Sequence, residues 1–138
     1  MRILWMVAGA MSVLAGSAFA QTPGAAPDRL VPAGAAAPVN AANVDLGAEF
    51  PDLKGYRVTQ NIYTIAPNTG RPLHSHAGQP EIVHIVSGTL TDAREGKPPV
   101  AYGPGATILN LKDTKHMWAN LGAEPVVFIA TSIRSPGK

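Results

Sequence analysis

From Tyr56 to Ile133 the chain is cut into short β-branched and aromatic runs by clusters of Gly, Pro and Asn. That punctuation leaves room for strands but not for helices of ordinary length. Tyr56–Ile65 ends at Pro67-Asn68-Thr69-Gly70. Leu73–His76, Glu81–Val86, Thr89–Ala93, Pro99–Tyr102, Thr107–Leu111, Lys115–Ala119 and Pro125–Ile133 follow, each closed by a turn cluster such as Ser87-Gly88 or Gly103-Pro104-Gly105. About eight strands spaced 8 to 12 residues apart predict an antiparallel sandwich or barrel rather than alternating strands and helices. The expected fold class is all-β.

The residues before this body read differently. Arg2, an apolar run from Ile3 to Leu14 and a small-residue end at Ala18-Phe19-Ala20 have the layout of a secretory signal peptide cut before Gln21. Residues 1–20 are therefore expected to be removed, leaving an exported protein, periplasmic or secreted, with no stable membrane insertion. A retained anchor is the alternative, since the run just reaches spanning length. Residues 21–46 are dominated at first by Ala, Pro and Gly, hold few large apolar side chains, and are expected to form a disordered linker. The folded domain is expected over residues 47–135. So small a domain sits near the lower limit for a self-sufficient core, and a homodimer would help it.

Composition removes several classes of function. With 11 basic and 9 acidic side chains the net charge is only +2, so no basic stripe for nucleic acid is expected. There is no cysteine, which excludes disulfides, thiolate metal sites and a thiol nucleophile. Any metal must be held by His, Asp or Glu.

Three of the four histidines fall where strands can collect them. On a strand, residues i and i+2 face the same side, about 6.6 Å apart along the axis, so His74 and His76 present two imidazoles together. Glu81 follows a four-residue stretch containing Gly78 and Pro80, which can turn the chain and lay the next strand beside the first. His116, on its own strand, can close the site from a facing position if the strands wrap into a barrel. Imidazole plus carboxylate suits one divalent transition metal: Mn, Fe, Ni, Cu or Zn. Each residue taken alone has an ordinary reading, as a chance H-x-H, a surface carboxylate or a half-buried histidine. Together they converge on one inward face.

The same parity puts Trp118 on the face of His116, and Val83 and Ile85 on the face of Glu81, as pocket wall or core. His84 has the opposite parity and is expected outside. Arg71, just ahead of the histidines, is either an ordinary solvated loop arginine or a contact for a carboxylate substrate at the mouth. Tyr63 and Tyr102 need no role beyond the strand.

The run His74-Ser75-His76, four residues, Glu81, six residues, Gly88 resembles the first motif of the cupin superfamily. The glycine usual at its head is replaced by Asn68, with Gly70 two positions on to serve the turn. His116-Met117-Trp118-Ala119-Asn120 resembles the end of the second motif, whose usual Pro and Gly are here Leu111 and Asp113. The likeness, to small single-domain exported bacterial cupins, implies one antiparallel jelly-roll β-barrel holding a metal on His74, His76, Glu81 and His116, often as a dimer. It also implies chemistry on an oxygen-rich small molecule, of dioxygenase, isomerase or lyase type, with Glu81 able to take a proton. A non-catalytic metal- or ligand-binding module is the alternative reading, and a metal-free structural domain a third.

Overall fold

The computed structural model describes residues 22–23, 34 and 37–137; the expected signal peptide lies outside them. Ten strands are described: β1 (Thr22–Pro23), β2 (Val39–Asp45), β3 (Arg57–Ile65), β4 (Thr69–Ser75), β5 (Glu81–Ser87), β6 (Leu90–Arg94), β7 (Val100–Tyr102), β8 (Thr107–Asn110), β9 (Lys115–Asn120) and β10 (Val126–Arg134). They form two five-stranded sheets, ordered β1-β7-β6-β9-β4 and β2-β3-β10-β5-β8, with every pairing antiparallel. This is the expected jelly roll. A single turn of helix, α1 (Leu46–Glu49), capped by the Asp45 carboxylate on Gly47 N, links β2 to the body. Among the described residues no helix is long and apolar enough to cross a membrane.

The sheets bury one face each. Along β3, β5 and β10 buried and more exposed residues alternate, which is the mark of strands packed on one side only. Ile65, Ile85, Leu90, Trp118, Val126 and Phe128 meet between the sheets with no exposure at all. Each such side chain contributes about 1.5–3 kcal/mol of burial, offsetting the chain entropy of a domain this small.

Two features depart from the sequence reading. Val39–Asp45 lies inside the stretch expected to be disordered, yet it pairs with β3 over almost its whole length. Every one of its residues is exposed. An edge strand needs main-chain partners rather than apolar burial, so a composition argument based on burial does not see it. Side chains add to the pairing: Asn40 donates to Asn61 Oδ1 at 3.0 Å and Arg57 to Asn43 Oδ1 at 2.9 Å. The two-residue β1, paired with β7, also falls within that stretch.

The second departure is at the start of β4. Asn68 itself adopts the left-handed conformation, with φ of 54°. Asparagine tolerates this region, so the turn needs no glycine there. Gly70 serves a different purpose. A Cβ on it would overlap the carbonyl oxygen of Trp118 on the paired strand, so its missing side chain is what lets β4 and β9 approach.

Candidate metal centre

The site is assembled at the junction of the two sheets. β4 and β9 are neighbours in the first sheet, with His74 directly opposite His116. The register slips between Arg71 and His74, an irregularity that re-aims the strand end. His76 stands just beyond the strand, held by its backbone N–H to Thr114 O at 3.0 Å. Glu81 opens β5 in the other sheet, flanked across the ladder by Asn110 on β8 and Ser132 on β10.

The sequence reading had these positions reversed. It expected Glu81 on a strand beside the histidines and His116 on a facing one. In the structure His116 is the neighbour and Glu81 faces the histidines from the opposite sheet. The link Ala77–Pro80 carries the chain from one sheet to the other instead of folding a hairpin.

The turn before β9 lacks the Pro and Gly usual in the resembling motif. Leu111 N–H donates to Thr114 Oγ1 and Thr114 N–H to Leu111 O, both at 2.9 Å, closing the Leu111–Thr114 turn by hydrogen bonds instead. His116 follows in position, completely buried.

Three Nε2 atoms converge. His116 Nε2 lies 2.9 Å from His76 Nε2 and 3.1 Å from His74 Nε2. The other ring nitrogen of each imidazole meets an acceptor. His74 Nδ1 donates to Pro72 O at 2.8 Å, His76 Nδ1 to Gln79 O at 3.2 Å, and His116 Nδ1 to Asp92 Oδ1 at 2.6 Å. Carbonyl oxygens can only accept, so the proton sits on Nδ1 and the Nε2 lone pair faces inward. Three lone pairs at this spacing repel one another unless a cation lies among them. Nitrogens sharing one ion at right angles, at the usual bond length of about 2.1 Å, stand about 3 Å apart. The donor set therefore fits a metal ion. His74, His76 and His116 form a cluster able to hold one, and Glu81 Oε2 is 3.8 Å from His76 Nε2.

Burial favours the neutral form of His74 and His76. It lowers the His74 pKa to about 4, against a backbone hydrogen bond to Pro72 that favours the charged form and with the nearby His116, Arg71 and His76 adding to the shift. His76 is lowered too, chiefly by burial, although Glu81 opposes the shift. Asp92 moves the other way from what burial alone would do. Hydrogen bonds from His116 and Arg94 outweigh the loss of solvent and hold its carboxyl below the ordinary range. It is thus an ionised acceptor for His116.

A polar cavity of about 220 Å³ opens onto the cluster, lined by Tyr63, Arg71, His74, Ser75, His76, Gln79, Glu81 and Arg134. Arg71 is half-buried, with its guanidinium 5.2 Å from the Tyr63 ring centre and 5.6 Å from that of Trp118. Trp118, Val83 and Ile85, expected as pocket wall or core, are completely buried core residues absent from this lining. Trp118 still touches the site from beneath, its ring edge-on to His74 and His116 with centroids 5.6 and 4.8 Å away. His84 points outward, as its parity implies.

Sequence reasoning missed Asp92, Arg94, Asn110, Ser132 and Arg134. The one signal for Asp92 is an acidic residue inside an otherwise strand-like run, where aspartate is disfavoured.

A family model described as Cupin domain matches residues 61–132. The chain is 27% identical over 95 residues to Germin-like protein 1 of Brassica napus, covering 65% of this chain but 46% of that one, so it spans about half the length of that relative. Among solved structures, the TT1209 protein from Thermus thermophilus superposes with a TM-score of 0.60 at 16% identity, covering 78% of this chain and 90% of the other. A cupin domain from Bordetella pertussis Tohama I gives 0.56, also at 16% identity, covering 75% and 97%. At these identities the two structures speak to the fold alone.

Proposed function

Because the chain belongs to the cupin domain family, we propose that it is an exported metal-dependent enzyme acting on a small, oxygen-rich carboxylate. The observation that carries this reading is the convergence of three inward lone pairs, with Glu81 opposite, at the floor of an open polar cavity. His74, His76, His116 and Glu81 are the residues that would hold the ion. A bound divalent metal supplies Lewis acidity toward a substrate oxygen.

The rest of the work falls to side chains. Arg71 and Arg134 line the cavity, and Arg134 Nε is buried without a hydrogen-bond partner among the described residues. Two guanidiniums beside a metal site match a carboxylate, which their planar donors can grip in two places. The small volume suits a small carboxylate. Among the described residues Glu81 is the only carboxylate in the lining, and it is the proposed proton acceptor. Its Oε1 accepts from Ser132 Oγ at 3.1 Å and its Oε2 from Asn110 Nδ2 at 3.2 Å, so the group is aimed before substrate arrives.

The same proposal includes export through the N-terminal leader and pairing of two copies. Support for pairing comes from the outer surface of the second sheet, where Ile62, Ile82, Leu109 and Ile133 are each more than a third exposed. The lack of a second carboxylate in the cavity among the described residues favours one other reading, a module that holds a metal or small ligand without turnover.

Metal content of protein purified from its own compartment, followed by a panel of small carboxylates run with the loaded protein and with His76→Ala, tests the proposal. Turnover lost in the variant supports the enzyme. Turnover that survives in it removes the metal mechanism, and tight metal binding without turnover leaves the binding module.

A further inference from the structure

Arg94 lies outside the cavity that opens on the metal cluster, yet its hydrogen bonds reach both halves of the site. It is directly opposite His116 across the β6–β9 ladder. Its Nε donates to Asp92 Oδ2 at 2.7 Å, and the other oxygen of Asp92 receives the Nδ1 hydrogen of His116. Its Nη2 crosses to the second sheet, donating to Leu109 O at 2.9 Å and Asn110 Oδ1 at 3.1 Å. With its oxygen engaged there, the Asn110 amide has its NH₂ turned to Glu81 Oε2. An unbroken chain of hydrogen bonds therefore runs from His116 through Asp92, Arg94 and Asn110 to Glu81. Asp92, Asn110 and His116 are each at most 2% exposed, while the Arg94 side chain keeps 27% exposure.

We propose that Arg94 is the positioning residue that fixes the distance between the His116 and Glu81 halves of the site, acting through Asp92 on one sheet and Asn110 on the other. The guanidinium suits this because its planar donors hold two acceptors at a set angle, which a point charge cannot do. Partners that orient metal ligands typically change affinity 10- to 100-fold when removed. The proposal rests on the metal site itself being real, and the experiment separates the two.

Zinc affinity by chelator competition and the visible spectrum of the cobalt-loaded protein are measured for wild type, Arg94→Met, Arg94→Lys and Asn110→Leu. A wild type that binds neither ion overturns the metal reading as a whole. If wild type binds, a 10- to 100-fold loss with an altered cobalt spectrum is expected in Arg94→Met and in Arg94→Lys, because lysine restores the charge beside Asp92 but not the reach to Asn110. Lysine returning both affinity and spectrum to wild type overturns positioning in favour of charge alone. Should Arg94→Met not fold, Asn110→Leu decides: an unchanged spectrum and affinity in it overturn the proposal, and a changed spectrum supports it.

Discussion

His74 and His116 face each other across one antiparallel ladder with their Nε2 atoms 3.1 Å apart, yet His74 is partly open to solvent while His116 has none. The two are equal as donors toward an ion and unequal as parts of the core. His74→Ala is expected to weaken zinc binding about 100-fold or more while leaving the metal-free protein nearly as stable as wild type. His116→Ala is expected to weaken binding as much and also to destabilise the metal-free protein by about 3 kcal/mol, because it strips the buried Asp92 of one partner. Urea unfolding with and without chelator reads both. Equal stability of the two variants would contradict the assignment.

Stability of the metal-free protein should depend on pH through the same imidazoles. The folded-state pKa of His74 is lowered from 6.5 to about 4, and that of His76 is lowered as well. Between those values the unfolded chain binds more protons than the folded one, so acid favours unfolding. The melting temperature of chelator-treated protein is expected to hold near neutrality and to fall as pH drops from 6.5 toward 4. His74→Ala should flatten part of that fall. A melting temperature that rises in this window would refute the burial of the two rings.

Gly70 tests the close approach of β4 to β9. Gly70→Ala places a methyl group against the Trp118 carbonyl oxygen, which belongs to backbone and cannot swing aside. A loss of about 2 kcal/mol or more is expected by denaturant unfolding. Gly96→Ala is a useful comparison: its φ is positive but nothing lies near its Cβ, so only the smaller backbone strain applies.

Pairing of two copies through the second sheet gives a separate expectation. Ile82 and Leu109 are cross-strand partners, each 54% exposed. Ile82→Lys combined with Leu109→Lys should convert a dimer to a monomer in sedimentation, with zinc affinity unchanged. A protein that sediments as a monomer before substitution rules out the pairing.

Much of this architecture is readable from the chain because its turns are chemically marked. Of the eight strands from Tyr56 onward, all but β9 follow clusters of Gly, Pro or Asn, and two-residue parity places Glu81, Val83 and Ile85 inward and His84 outward. Parity says which face a side chain takes but not which strand lies beside it. The exchange of places between Glu81 and His116 therefore lay beyond it. Asp92 was hidden for a related reason. Leu90, Thr91 and Asp92 are buried in succession, so β6 has no alternation to read. The strand Val39–Asp45 escaped because its contribution is backbone pairing, which composition does not record.

β9 enters its sheet between β4 and β6, two strands that both precede it in the chain. Its imidazole is the last of the three along the sequence, and it can join the others only once that central slot has been filled. If the site takes up a metal, its capture during refolding is expected to follow the closing of this sheet rather than early collapse. A colorimetric ion released or captured on the time course would reveal when the final long-range pairing is made.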